Sequence, residues 1–395
     1  MKLRWFVSST VRQASDMRKH VQKLLNSQRD ILSPQAVSAV EGALAETNAA
    51  LESNADDAAL QKQIENLEKI ATKWIKPYPN AEWRDNVEVF LVAIVVAMGI
   101  RTFFLQPFKI PTGSMQPTLF GVVTKDLRSD PNFQMPGFFG RLADVLVHGT
   151  IYHQIIAPQD GEVVRLGPIQ HVLHFINRQT LWVQYGGSGP EVPLTIWCGP
   201  DDRKNLDDAG LTHNAFLFHK GEPIVCFKET TGDHLFVDRF TYNFRHPTRG
   251  EIIVFLTTGI EGIQQDQFYI KRLIGLPGDA VSIGEDRHVR IDGRRLDAAT
   301  PHFENVYGFD PQSDPHESQY SGHLLAPQDL PMLGSRLKTP SDAIHVDPGH
   351  FIVFGDNTMN SLDSRYWGEL PEGNVIGKSF FVYWPISSRF GWGQE

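Results

Sequence analysis

Apolar residues recur at helical spacing through the first 76 residues of the chain. The stretch VQKLLNSQRDIL shows this period, and Ser33 followed by Pro34 is typical of a helix start, with an N-cap residue and a proline in the first turn. The stretches SAVEGALAETNAAL and AALQKQIENLEKIATKWI continue the pattern with mixed charges. The pattern predicts a short helical hairpin or coiled coil, which offers a contact surface for partners.

A more apolar run follows this helical region. Its uncharged part, Val89–Ile100, has only 12 residues and fits a buried core helix as well as a membrane helix. Arg101 can snorkel to a membrane interface, which extends the apolar span to Leu105. The run predicts one uncleaved membrane anchor at 87–105. Basic residues lie on both sides of it and give only a small preference for a cytoplasmic N-terminus.

From about residue 120 onward, short β-branched or aromatic runs alternate with Gly, Pro, Asp or Asn. This pattern is typical of strands joined by turns. The runs are DGEVVRL, TLWVQYG, HLFVDRFTY, EIIVFLT, FYIKRLIG, VRIDGRRL, HFIVFGD and KSFFVYWPI. The larger part of the chain is therefore expected to be mainly β.

Composition narrows the class of function. The chain has 395 residues, enough for two or three domains, and its net charge of −9 disfavours a nucleic-acid partner. Cys198 and Cys226 lack the spacing of a zinc site, and no metal or other cofactor is expected. The two cysteines fit one disulfide or two buried thiols, and the sequence leaves both open.

A serine stands in a turn shortly after the apolar run. In IPTGSMQPTL, two prolines and Gly113 disfavour a helix and favour turns around Ser114. Because serine is common in turns, where its hydroxyl bonds to nearby backbone, a structural role is the simpler interpretation of this stretch taken alone.

A lysine lies within the apolar strand FYIKRLIGL. The period of two places Tyr269 and Leu273 on the same face as Lys271. Apolar neighbours disfavour the ammonium form and lower the lysine pKa, and a lysine general base must be a neutral amine. The alternative is an exposed lysine on an edge strand, where lysine is common.

A polar loop, GDNTMNSLDSRYWG at 355–368, follows the strand HFIVF. Its Asp and Asn residues are typical of a turn that bonds its own backbone. Its density of hydrogen-bonding groups also suits a segment that holds a catalytic residue in place.

Four stretches resemble, in order and character, the motif boxes of type I (leader) signal peptidases: IPTGSMQPTL, GDHLFVDRFTYNFRHPTRGEIIVF, YIKRLIGLPGD and GDNTMNSLDSRYWG. These enzymes are membrane-anchored Ser/Lys proteases that remove signal peptides from exported proteins. The resemblance implies an antiparallel β-sheet catalytic domain with an added β-rich insertion. An N-terminal helical region and one transmembrane helix are expected to precede that domain.

The resemblance also implies a role for each matching residue. Ser114 would be the nucleophile, Lys271 the general base, and Thr112 with the N–H of Ser114 the oxyanion hole. Ser361 would hydrogen-bond the lysine and orient it. Structural ion pairs are implied for Asp363 with Arg365 and for Arg272 with Asp356. The residues implied to line shallow pockets for the small −3 and −1 side chains of the substrate are Phe108, Ile110, Met115, Leu119, Tyr269 and Ile270.

The chain departs from the family's pattern at two places. Thr358 stands where bacterial members usually carry an arginine after GDN. About a hundred residues separate Ser114 from the next motif, where relatives are much shorter, so a β-rich insertion of unknown role is expected at about 121–230. The family's variable second β-domain is expected at about 284–346.

An arrangement across a membrane follows from the same resemblance. Residues 1–86 would be a cytoplasmic helical region and 87–105 the anchor. Residues 106–395 would form a peptidase domain on the outer side of the bacterial inner membrane. The expected partners are preprotein signal peptides, the lipid bilayer and the secretion machinery, with no nucleic acid.

Two other functions fit parts of this architecture. A catalytically inactive, membrane-anchored binding or assembly module would keep the scaffold but would be expected to have lost Ser114 or Lys271. A self-cleaving Ser/Lys repressor would carry a basic DNA-binding segment, which the sequence lacks, and would have no apolar anchor. Signal peptide cleavage is the favoured function.

Overall fold

The computed structural model of the protein describes residues 8–53, 55–75, 81–128, 130, 132–173, 176–187, 189–198, 216–308, 322–326, 328, 330 and 333–392. The chain divides into two compact units, Met1–Val95 and Val96–Glu395. Each unit is described by itself below.

The described part of the first unit begins with three helices, α1 (Ser9–Gln28), α2 (Pro34–Glu52) and α3 (Asp57–Trp74). Each helix starts at an N-cap residue whose side chain accepts a backbone N–H, as the sequence predicts for Ser33. The short helical hairpin or coiled coil that the sequence predicts is instead an arrangement of three helices, in which every helix packs against both others. The third helix buries Leu67 in the same core as Val21 and Val40, and so completes a bundle.

The next helix, α4 (Ala81–Phe103), contains the segment Trp83–Phe103, 21 residues with a mean hydropathy of 1.8 and no buried side chains. Among the residues that the structure describes, it is the one helix long and apolar enough to cross a membrane. The helix ends before the predicted limit at 105. Pro107 lacks the backbone N–H that would continue the helix and also restricts the residue before it.

The second unit is mainly β, which confirms the predicted fold class. Its strands are β1 (Leu105–Lys109), β2 (Val123–Asp126), β3 (Thr150–Ile156), β4 (Gly161–Leu166), β5 (Gln170–Leu173), β6 (Ile176–Tyr185), β7 (Glu191–Cys198), β8 (Phe216–Phe218), β9 (Pro223–Thr230), β10 (His234–Asp238), β11 (Ile252–Leu256), β12 (Phe268–Gly275), β13 (Ala280–Ile283), β14 (Val289–Ile291), β15 (Arg294–Arg295), β16 (Ile344–His345), β17 (His350–Phe354), β18 (Leu370–Pro371), β19 (Val375–Trp384) and β20 (Gly391–Trp392). Each of the eight predicted runs overlaps at least one of these strands.

The described strands form a main sheet in the order β1-β10-β19-β11-β12-β17-β18, with β20 paired to β19. Every pairing in it is antiparallel. On the β12 side, the pairing with β17 covers only the second half of β12, from Arg272 onward. One edge of Phe268–Lys271 therefore carries no strand within the described residues. Phe108 of β1 contacts Phe268 of β12, with ring centroids 5.0 Å apart. The curled sheet therefore brings two open strand edges close together.

Two smaller sheets lie between β1 and β10 in the sequence, where the insertion is expected. Their orders are β2-β9-β3 and β5-β6-β4-β8, with β7 paired to β6. They share a core that includes Val163, Leu181 and Phe227. Part of the predicted insertion, residues 199–215, lies outside the described residues. Cys226 of β9 is a free, buried thiol.

A fourth sheet, β15-β14-β13-β16, falls within or next to the predicted second β-domain, of which residues 309–321 lie outside the described part. Among the residues described in this unit, two short α-helices remain. Helix α5 (Phe138–Ala143) continues into a π-helical turn at Asp144–His148, and α6 (Ser364–Trp367) follows the polar loop after β17.

Candidate active site

Ser114 lies in a single 3₁₀ turn, Gly113–Met115, just after β1. The turn agrees with the prediction made from its flanking glycine and prolines. The neighbouring side chains of Met115 and Leu119 are fully buried in the core beneath the main sheet and hold the turn in place. Ser114 itself is only 6% exposed.

Lys271 lies in the first half of β12 and is 4% exposed. Its Nζ lies 2.8 Å from Oγ of Ser114 and donates to the carbonyl of Ile270 at 3.0 Å. Burial lowers the pKa of Lys271 to about 8, although the carboxylates of Asp363 and Asp356 act in the opposite direction. The alternative of an exposed edge-strand lysine is therefore wrong, since this side chain points into the protein.

A buried ion pair supports the lysine from the adjacent strand position. Arg272 donates through Nε and Nη2 to the carboxylate of Asp356, at 2.8 and 2.7 Å. Thr118 also donates to Asp356, at 2.5 Å, and so connects the pair to the segment that follows Ser114. The structure brings together the predicted partners Arg272 and Asp356.

The second predicted pair, Asp363 with Arg365, is also present and buried. The two side chains form a bidentate contact at 2.8 and 2.9 Å, and the N–H of Gly355 donates to the same carboxylate at 3.0 Å. Arg365 further donates to the hydroxyl of Thr358 at 2.5 Å. Thr358, at the position where the family usually has arginine, thus acts as an acceptor that stabilises the loop.

The predicted hydrogen bond from Ser361 to the lysine is wrong in this structure. The Ser361 hydroxyl donates to Asp363 at 2.6 Å, and no contact of the described residues joins it to Lys271. A buried carboxylate two residues away is a stronger acceptor for a hydroxyl than a lysine that already contacts Ser114.

Two residues that sequence analysis missed attach the polar loop to the turn that carries Ser114. The backbone N–H of Asn357 donates to the carbonyl of Ser114, and its side chain donates to the carbonyl of Gly113, both at 3.0 Å. At Gly355, an added Cβ would lie 2.2 Å from Oγ of Ser361 and 2.5 Å from the carbonyl oxygen of Ser114. This position therefore requires glycine for close packing. In the sequence, the stretch GDN at 355–357, which contains both residues, was the signal that could have indicated these roles.

The predicted pocket residues fall into two groups. Phe108, Tyr269 and Ile270 are half-buried and lie on the open halves of β1 and β12. The other three, Ile110, Met115 and Leu119, are buried in the core at 0–2% exposure. They belong to the apolar cluster against which Phe108 and Ile270 pack, and the role of all six as pocket-lining residues stays a prediction.

Thr112 precedes the turn, and its exposed side chain caps no helix. In the described part of the chain, the backbone N–H of Ser114 donates to no carbonyl outside its own turn. Among the described residues, neither the Thr112 hydroxyl nor the Ser114 N–H is therefore occupied by a contact of the fold, and their role as oxyanion donors stays a prediction.

Comparison with known proteins gives a family match for the chain. The chain matches the family described as "Signal peptidase, peptidase S26" at residues 83–128 and 228–384, which is about half of the chain. The family match omits the residues between these ranges, where most of the insertion is expected. All four motif stretches fall within it.

Individual relatives have moderate identity. A "Probable signal peptidase I-2" of Synechocystis is 32% identical over 39% of this chain and 56% of its own length. A "Signal peptidase I" of Pseudomonas fluorescens is 28% identical over 62% of this chain and 87% of its own. A crystal structure of a signal peptidase I from Enterococcus faecalis is 27% identical, covers 34% of this chain and 97% of that one, and has a TM-score of 0.22.

The family match over about half of the chain defines the class of protein as a serine protease. The chain belongs to the signal peptidase family, peptidase S26, whose members act on the signal peptides of preproteins. It is an enzyme of the signal peptidase I type.

Proposed function

We propose that the protein cleaves N-terminal signal peptides from exported preproteins after small residues at −3 and −1, using Ser114 and Lys271 as a catalytic dyad. One observation carries the proposal. The Nζ of a buried lysine, whose pKa is lowered to about 8, lies 2.8 Å from the hydroxyl oxygen of Ser114. This distance is within the range of direct proton transfer between a nucleophile and its base.

In the first step, the neutral amine of Lys271 takes the proton of the Ser114 hydroxyl as Oγ attacks the scissile carbonyl. The negative charge then develops on the carbonyl oxygen, which accepts hydrogen bonds from the Thr112 hydroxyl and the Ser114 N–H in this mechanism. The protonated lysine gives its proton to the departing amine, and an acyl-enzyme forms. The same lysine, neutral again, then takes a proton from a water molecule that attacks the acyl carbonyl. The ester bond to Ser114 breaks, the lysine gives its proton to Oγ, and the signal peptide leaves with a new carboxylate.

The residues around Lys271 hold it in this geometry. The amine donates to the carbonyl of Ile270, which fixes the side chain at its end. The carboxylates of Asp356 and Asp363 are each paired with an arginine, so neither forms a direct ion pair with the lysine within the described residues. Paired in this way, they raise the lysine pKa less than the burial lowers it.

The substrate adds as an extended strand between the open edges of β1 and β12. Those edges provide unpaired backbone groups for main-chain hydrogen bonds, the usual means of strand addition. Phe108, Tyr269 and Ile270 on these edges are half-buried, and Phe108 and Ile270 pack against a buried apolar cluster. Because that cluster leaves little depth beneath a bound strand, pockets formed by these side chains would accept only small residues at −3 and −1.

Membrane anchoring places the site beside its substrate. Helix α4 spans the bacterial inner membrane with the N-terminal unit in the cytoplasm and the peptidase domain on the outer side. The apolar core of a signal peptide lies in the same bilayer, and its cleavage site emerges at that surface. A nucleophile held close to the surface meets the scissile bond with little search.

The test is cleavage of a preprotein with an Ala-x-Ala site by the detergent-solubilised full-length protein. The wild type is expected to release the mature protein, and Ser114→Ala is expected to lose at least about a thousandfold of the rate, because no other hydroxyl replaces the nucleophile. Ser341→Ala, at an exposed serine far along the chain, is the matched control and should retain full activity. Retained cleavage by Ser114→Ala would overturn the assignment.

A further inference from the structure

A helical segment in the insertion leaves its apolar side chains uncovered. This segment, residues 138–148, consists of α5 and its π-helical continuation and is called the surface helix below. None of its residues is buried. Its large apolar residues are Phe138, Phe139, Leu142, Val145, Leu146 and Val147. Phe139 is 82% and Leu146 66% exposed, and a cluster of this kind marks an interaction surface in a folded protein.

The surface helix is fixed to the catalytic domain. The indole N–H of Trp384 donates to the carbonyl of Leu146, and the N–H of Ile386 donates to the carbonyl of Val147, both at 2.8 Å. Ile386 is itself half exposed and extends the apolar surface beyond the helix. The end of β19 therefore holds this surface in one orientation.

A groove with positive charge adjoins the surface helix. It has a volume of about 330 Å³, and His148, Lys125 and Lys228 are among its lining residues. The two lysines oppose each other across β2 and β9, and the described part of the structure gives neither an ion pair. Two other charges nearby are already satisfied. Arg389 forms a bidentate pair with a buried aspartate, and the helix's own Asp144 accepts from Tyr152.

The surface helix also lies near the point where the chain leaves α4. Trp384 pairs with His234 of β10, which pairs with Lys109 at the far end of β1. The near end of β1, Leu105, comes just after the last residues of α4. With about 3.3 Å per residue along a strand and about 4.8 Å between strands, the two places lie within roughly 20 Å of each other. One bilayer surface can contact both.

We propose that the surface helix lies in the interface of the bilayer that holds α4, with anionic lipid headgroups seated in the groove beside Lys125 and Lys228. The proposal rests on the membrane anchoring proposed above and adds a second contact to it. Apolar side chains with flanking cations are the features of helices that lie in a membrane surface. Two contact points, instead of one, fix the rotation of the catalytic domain and hence the direction in which its open strand edges face.

The test places an environment-sensitive fluorophore on a single cysteine of the full chain, in a Cys198→Ala, Cys226→Ala background. The labelled variants are Phe139→Cys on the surface helix, Ala97→Cys within α4 and Asp160→Cys on an exposed turn of the insertion. Each is reconstituted in phosphatidylcholine vesicles containing phosphatidylglycerol, with or without lipids that carry a quencher on the acyl chain. Labels at 139 and 97 should be shifted to the blue and quenched, and the label at 160 should not.

The outcomes separate the two proposals. Quenching at 97 without quenching at 139 overturns the interfacial role and leaves the anchor intact. No quenching at either position overturns both. A third outcome is a blue shift of the label at 139 that occurs only at high protein density in the vesicles and without acyl-chain quenching. It would mean that a second copy of the chain covers the surface helix, and this also overturns the proposal.

A second measurement tests the headgroup contact. In vesicles with phosphatidylglycerol, the ratio of embedded to exposed label at 139 should fall about fivefold for each lysine replaced in Lys125→Gln and Lys228→Gln. The control pair Lys62→Gln and Lys69→Gln, on α3, should have no effect. In phosphatidylcholine alone the groove variants should match the parent. A ratio of embedded to exposed label that depends on neither the lipid charge nor the two lysines would overturn the headgroup site.

Discussion

Thr112 has a proposed role that depends on one hydroxyl. Its side chain is exposed and caps no helix, so Thr112→Val should leave the fold unchanged. The variant should lose about a hundredfold in kcat with little change in KM, because it removes a donor to the transition-state oxygen. Thr112→Ser, which keeps the hydroxyl, should recover most of the rate. Equal kcat for the valine and serine variants in steady-state kinetics would contradict the role.

At the level of single residues, the sequence predicted the two proposed reacting residues, Ser114 and Lys271, better than the contacts of the residues around them. The apolar face of its strand allowed a buried Lys271, but an exposed edge-strand lysine was the simpler interpretation until the other motifs were considered. Burial in the strand is what lowers its pKa. Ser114 was identifiable only with the other motifs, since turn serines are common. Ser361 was assigned to the wrong partner, because the choice between Lys271 and Asp363 depends on side-chain distances that no sequence pattern contains.

The elements that form the site meet through the polar loop between β17 and α6. Gly355 lies where an added Cβ would contact both Ser361 and the carbonyl of Ser114. Gly355→Ala should therefore push the Ser114 turn away from β12 and lower kcat at least about tenfold. The variant should also lose on the order of 1–3 kcal/mol in stability. Gly373→Ala is the matched control, because its added Cβ would meet nothing within 4 Å.

Cleavage rates and thermal unfolding of both variants measure this effect. Unchanged kcat in Gly355→Ala would show that the loop does not position Ser114.

The strands were predictable from their alternating residues, whereas the contact between the polar loop and the Ser114 turn was not. Gly355 and Asn357 act on a turn about 240 residues earlier in the chain, and nothing local to the loop indicates that distant partner.

For the whole molecule, Lys271 is a cost to stability. Its folded pKa of about 8 lies below the ordinary value of 10.5, so between these pH values the unfolded chain binds the proton more readily. Stability therefore rises as the pH increases from 8 to 10.5, and the cost is fully present below 8. Lys271→Met should be more stable than the wild type at pH 7, by on the order of 1–3 kcal/mol, while losing cleavage.

Thermal unfolding at pH 7 and at pH 10 checks this. The advantage of Lys271→Met should shrink at the higher pH, and an advantage that is equal at both values would mean that packing, rather than charge, is responsible.

The three-helix arrangement of residues 9–74 shows what the sequence pattern leaves undetermined in the whole molecule. Helical spacing predicted each helix, but which faces meet is decided by packing among all three.

The most direct test of the Ser/Lys mechanism is the pH dependence of kcat on one signal-peptide substrate, measured from pH 6 to 10 for the wild type and Lys271→Arg. Because only the neutral amine accepts the serine proton, the wild-type rate should rise through a pKa near 8 and then level off. The arginine variant should be inactive throughout, since guanidinium does not release its proton in this range. A wild-type rate that is flat from pH 6 to 9, or an active arginine variant, would contradict the account.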